Sequence, residues 1–266
     1  MLKIFMLKSF FCGKRSAVSS LSLILILTSC FSVHAQSDQT TQSDDTESLS
    51  FTPPPLRQDT GEPGDRIEQG TRSGCENSKQ NSKEKQLTAL VPMYESSHSG
   101  LVLGTTASAY PTLWFYVPHA SKLPAKLILQ EEEKTIFKTP VALTKAPGII
   151  KVKMPVTVPL KIGHKYHWFF NVYCRPEQPP TFVHGWIKRD KLSPTLASQL
   201  RRATLKKRVA LLAANGFWYD ALSAASELRA EMKNNYWVSL LKTVGLSSVA
   251  TEPIVFTASQ SKPTTY

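Results

Sequence analysis

Between residues 192 and 193 the chain changes its apolar period, and that switch constrains its fold more than any other feature. Upstream, short β-rich runs bounded by proline and glycine occupy residues 87–91, 112–117, 126–130, 135–143, 149–154, 165–174 and 183–188. Ile150, Val152 and Met154 alternate with Lys151 and Lys153, the pattern of a half-buried strand. Glu131-Glu132-Glu133-Lys134 sits where a hairpin connection is needed. About seven short strands with frequent turn signals predict an antiparallel β-sandwich rather than a parallel sheet. Downstream the period becomes helical. Ser193-Pro194 caps a start, Thr204 opens a helix through Ala214, and Asn215-Gly216 supplies a left-handed stop. Residues 217–232 form the next helix and 236–244 a last short one before Gly245. The class is therefore α+β: a sandwich followed by a helical hairpin plus one short helix packed on it.

The front of the chain reads as a leader. Lys3, Lys8, Lys14 and Arg15 precede the apolar run 21–27, and Val33-His34-Ala35 offers a small-residue cut. A second reading stays open: Leu27-Thr28-Ser29-Cys30 resembles a lipobox, which would make Cys30 the lipidated first residue. The length of the apolar stretch and the Ala-Gln boundary favour cleavage after Ala35. Either way Cys75 and Cys174 remain, in a compartment where thiols oxidise. A bridge between them closes a loop of about 100 residues, worth roughly 4–5 kcal/mol in the chain-entropy picture. Residues 1–35 are thus expected to be a signal peptide and 36–66 a disordered or extended linker. The sandwich domain with its N-terminal arm takes 67–192, the helical segment 193–246 and a frayed tail 247–266. Net charge is +12 overall, and the leader holds four of the cations and no acid. Beyond the leader no apolar stretch approaches the roughly 20 residues of a membrane helix.

Chemistry is harder to find. Nucleophile elbows, metalloprotease helices, phosphate loops and dinucleotide fingerprints are all missing, so no catalytic, cofactor-binding or metal residue is assigned. His164 and His167 stand three apart in an extended run, which sends them to opposite faces, while His98, His119 and His184 lie isolated. Arg201, Arg202, Lys206, Lys207 and Arg208 put five cations within eight residues and are candidate surface contacts. Nucleic acid is not an expected partner of an exported chain. Aromatics cluster at 114–116, 168–170 and 217–219. Adjacent rings on a strand face both ways, so some point outward, either beneath the helices or free to stack on sugar or peptide.

Several motifs recur in one order. Gly64-Asp65-Arg66, Gly70-Thr71-Arg72-Ser73-Gly74-Cys75, Leu87-Thr88-Ala89-Leu90-Val91-Pro92 and Pro111-Thr112-Leu113-Trp114-Phe115-Tyr116-Val117-Pro118 come first. Tyr166-His167-Trp168-Phe169-Phe170, Gly185-Trp186-Ile187, Arg208-Val209-Ala210-Leu211 and Trp218-Tyr219-Asp220-Ala221-Leu222 follow. Over about residues 60–250 the chain resembles the exported cyanobacterial family of domain of unknown function 928. That resemblance implies a cyanobacterial source and a periplasmic, thylakoid-lumenal or extracellular location, and it carries no catalytic residue with it. A weaker likeness links Gly216, Trp218 and Ala221 to the turn of a tetratricopeptide repeat, but a lone repeat cannot bury its own face. The chain is expected to be a non-enzymatic structural or interaction protein with an envelope partner, peripheral to a membrane or anchored there by Cys30. The alternatives are a glycan- or peptide-binding module using outward rings, or an envelope-polymer enzyme with dispersed residues.

Overall fold

A computed structural model of the chain describes residues 49–56, 62–68, 85–95, 100–118, 123–143, 147–175, 177–232 and 235–255. All belong to one unit, residues 47–266. The alternation at residues 149–154 becomes β7 (Gly148–Lys153), whose apolar residues are buried while Lys151 and Lys153 stay exposed. It pairs antiparallel with β4 (Thr112–Val117), and β4 pairs with the short β1 (Thr88–Ala89). These three make one sheet in the order β1-β4-β7. The second sheet has six strands in the order β2-β3-β9-β8-β5-β6. Its members are β2 (Met93–Glu95), β3 (Gly100–Thr106), β5 (Pro124–Glu131), β6 (Lys134–Ala142), β8 (Lys165–Val172) and β9 (Thr181–Arg189). The two sheets touch through aromatic rings. Phe115 of β4 stacks on Phe170 at 4.2 Å between centroids and meets Trp168 edge-on at 5.6 Å. All three rings are essentially inaccessible, each worth on the order of 1.5–3 kcal/mol by leaving water.

Two strands go unread in the sequence, and one pairing differs from expectation. β2 (Met93–Glu95) and β3 (Gly100–Thr106) stand where no strand is predicted. β3 runs parallel to β9, Leu103 lying opposite Trp186, so the second sheet is mainly rather than wholly antiparallel. The reason is packing on both sides. Residues 102–106 of β3 are all buried, so no polar alternation marks them. Gly185 of β9 supplies the room between them: a Cβ there would stand 2.6 Å from Val102 Cγ1 and 2.7 Å from Trp168 Cζ2.

Four helices follow, the first at the start that Ser193-Pro194 marks. In α1 (Pro194–Arg202) the Ser193 hydroxyl accepts from the Leu196 N–H at 3.1 Å. In α2 (Leu205–Ala214) Thr204 caps the start by accepting from Lys207. Gly216 then turns the chain at φ 79° into α3 (Trp218–Met232), and α4 is Tyr236–Thr243. α3 and α4 pack on the sheets. Trp237 of α4 meets Trp114 of β4 at 5.2 Å, and the Trp218 indole donates to the Leu90 carbonyl at 2.8 Å. Asp220 accepts from the Ala107 N–H at 2.9 Å, tying the end of β3 to α3, and burial raises its pKa.

Residues 247–255, expected to be part of a frayed tail, are ordered against the rest of the chain, and residues 256–266 lie outside the described residues. Val249 and Ala250 are buried, and residues 253–255 run beside β7, with Ile149 donating to Pro253 and Val255 donating to Ile149, both at 2.7 Å. No helix among the described residues is long and apolar enough to cross a membrane.

Candidate functional site

β8 and β9 are amphipathic by the simplest rule available, period two. Tyr166, Trp168, Phe170 and Val172 are buried, as are Val183, Gly185 and Ile187. The opposite face carries Lys165, His167, Phe169 and Asn171 from β8, with Phe182, His184, Trp186 and Lys188 from β9. Register does the rest: His167 lies opposite Trp186 and Phe169 opposite His184. Their rings form a continuous strip. His167 stacks on Trp186 at 4.2 Å and lies 4.2 Å from Phe169, while Phe169 stacks on His184 at 5.4 Å, with the exposed Phe182 beyond. Lys165 reaches over the Trp186 ring at 5.4 Å.

A polar relay is threaded through this strip. His184 Nε2 stands 3.3 Å from a carboxylate oxygen of Asp65, and His184 Nδ1 stands 2.9 Å from His167 Nε2. A carboxylate only accepts, so the His184 Nε2 carries the hydrogen. With His184 neutral, its Nδ1 accepts from His167 Nε2, which leaves His167 Nδ1 with a lone pair. Burial pushes the His167 pKa down to about 4, and repulsion from His184 acts in the same direction. Asp65 belongs to a strap, residues 62–68, crossing these strands. Its carbonyl accepts from the His184 N–H at 3.0 Å, and the Glu62 carbonyl accepts from the Trp186 indole at 2.8 Å.

At the Trp186 end the strip opens into a cleft of about 650 Å³, lined among others by Glu62, Glu131, His164, His167 and Trp186. Glu131 takes His164 at 2.7 Å and Lys161 at 3.2 Å. Desolvation alone would raise its pKa, but hydrogen bonds from Lys161 and His164, and their charges, outweigh it and hold the carboxyl below the usual range. The odd spacing of His164 and His167 does not send them to opposite sides. β8 begins only at Lys165, so His164 lies before the strand, and both histidines line this cleft. Nor is His184 isolated; its neighbours come from β8 and the strap, which only the register shows. Among the described residues no group of three His, Cys, Asp or Glu side chains is placed to hold a metal ion.

The family described as Domain of Unknown Function (DUF928) matches the chain over residues 67–254. The chain belongs to that family. No curated protein matches it. In this DUF928 chain the match takes in β1 to β9, α1 to α4 and the strip just described.

The other residues singled out in the sequence lie elsewhere. Cys174 follows β8 and does not stand as a free thiol, whereas Cys75 lies outside the described residues. Cys30 and Ala35 also lie outside them. Arg201 and Arg202 end α1, and Lys206, Lys207 and Arg208 begin α2, with Lys206 over the Tyr236 ring at 5.7 Å. None of the five lines the cleft. The rings of residues 114–116 and 217–219 are buried, those of 114 and 218 beneath or within the helices, which leaves Phe169 as the outward ring of its cluster.

Proposed function

We propose that this DUF928 protein is an exported, non-enzymatic interaction module that binds a glycan along the outward face of β8 and β9. The observation that carries this reading is the unbroken strip from Phe182 through His184, Phe169 and His167 to Trp186, ending at the cleft. Flat rings stack on the apolar faces of sugars, and the His167 lone pair with the ionised Glu131 supplies acceptors for hydroxyl groups. Export rests on the leader pattern, with release after Ala35 or anchoring through Cys30, and a cyanobacterial envelope or lumen is the compartment implied by the resemblance. In this setting a Cys75–Cys174 bridge staples the arm to the end of β8. We read the two sheets as the layers of a sandwich, supported by the Phe115–Phe170 stack, and α2 and α3 as the hairpin packed on it.

The test is retention on immobilised envelope polysaccharide by the mature chain and by Trp186→Ala. The variant is expected to bind at least about tenfold more weakly, a loss of about 1.4 kcal/mol, with its melting temperature within a few degrees of wild type. Equal retention of both chains would remove the strip from the reading.

A further inference from the structure

We infer that the joint between α1 and α2 is a docking surface for anionic lipid headgroups, by which this protein rests on a negatively charged bilayer. Between Asp190 and Asp220 the chain holds no acid, yet it places Arg201, Arg202, Lys206, Lys207 and Arg208 within eight residues. The two flanking acids are committed elsewhere: Asp190 pairs with Lys188 at 2.8 Å, and Asp220 accepts from the Ala107 N–H. At the joint Ala203 and Thr204 are both extended, so the last turn of α1 is followed at once by the first turn of α2. Arg201, Arg202, Lys207 and Arg208 are exposed, and Lys206 lies over the Tyr236 ring at 5.7 Å.

The fold asks for only part of this charge. Arg201 and Arg202 close α1, where the helix dipole favours cations. Lys206, Lys207 and Arg208 stand at the start of α2, where the same dipole disfavours them, and no acid accompanies them there. Thr204 caps that turn through the backbone N–H of Lys207, so the cap does not need the three side chains. Like charges gathered on two helix ends repel one another and are relieved by anions from outside.

A bilayer is the anion source that this joint fits. Half-buried Leu200, Ala203 and Leu205 lie among the cations, and half-buried Tyr236 lies under one of them. Lysine and arginine stems run along such apolar surface while their heads reach lipid phosphates, and tyrosine favours the same headgroup depth. A soluble acidic polymer would match the charge but leave the apolar groups unused. None of the five cations lines the β8–β9 cleft, so this surface is separate from the glycan strip.

The experiment is vesicle co-sedimentation of the mature chain beginning at Gln36, which lacks Cys30 and any lipid attached there. Phosphatidylcholine vesicles with and without phosphatidylglycerol are the probes. The wild type is expected to sediment only with the anionic vesicles and to be released as salt rises from about 0.05 M to about 0.5 M. Lys207→Gln with Arg208→Gln is expected to weaken that binding at least about tenfold. Lys134→Gln with Lys151→Gln removes two exposed cations of β6 and β7, giving the same net charge, and is expected to leave binding nearly unchanged. Trp186→Ala is expected to bind vesicles as wild type does. Equal binding to neutral vesicles, no binding to anionic ones, equal losses in the two double variants, or loss in Trp186→Ala would overturn the proposal. Retention on dextran sulfate without binding to vesicles would overturn it too, as the mark of a polymer site. Should the Lys207 and Arg208 variant fail to fold by circular dichroism, Arg201→Gln with Arg202→Gln is judged by the same outcomes.

Discussion

His167 stays neutral where an ordinary histidine begins to charge. In the unfolded chain it takes a proton near pH 6.5, and in the folded protein only near 4. Between those values the unfolded state binds more protons, so stability falls as the pH drops from about 6.5 to about 4. Its ring contacts are His184, Phe169 and Trp186, none of them negatively charged; Gln130 lies opposite it on β5, and Glu62, Glu131, Glu132, Glu133, His164 and Lys165 line the same cleft. Thermal melts are expected to lose several degrees across this window. His167→Gln, which keeps a polar side chain but does not titrate, is expected to lose fewer degrees; an unchanged slope would remove His167 as the cause. Little of this could be read in the sequence. The histidines are 17 residues apart, and only the β8–β9 register together with the strap brings Asp65, His184 and His167 into line.

Among the elements, the β5–β6 hairpin is held in a conformation its residues resist. Glu132 and Glu133 have φ of 50° and 66°, the paired left-handed geometry of a two-residue type I′ turn, which Asn-Gly adopts readily and glutamate does not. Replacing them by Glu132→Asn with Glu133→Gly is expected to stabilise the chain by about 1 kcal/mol, seen as a melting temperature roughly 2–4 °C higher. A lower value would mean that the two acids hold the turn by contacts of their own. The hairpin was legible from Glu131-Glu132-Glu133-Lys134 because the flanking runs alternate. The helix starts and stops were legible too, since Ser193, Thr204 and Gly216 act locally through caps and a left-handed turn. β3 was not. A strand buried on both faces writes no alternation, and Gly100 and Gly104 dilute what remains.

For the whole molecule the decisive expectation is the crosslink. Cys174 sits just past a buried row on β8, and the proposed bond to Cys75 restrains about 100 residues of chain, for roughly 4–5 kcal/mol in the entropy model. Cys174→Ser is expected to lower the guanidinium midpoint and to open the arm around residue 75 to protease. An unchanged midpoint with a resistant arm would retire the bridge. The α+β class was legible at this scale, because the change of period at residue 192 separates strands from helices. Which strands neighbour one another was not, since pairing between distant segments leaves no local trace.

The side-by-side run of β3 and β9 sets an order of events for a nascent chain. Leu103 waits for Trp186, so the larger sheet stays divided until nearly three quarters of the polypeptide exists. Pairing across such a separation is slow compared with closing a hairpin. Under the proposed export, that delay keeps the chain pliable while it is threaded across a membrane.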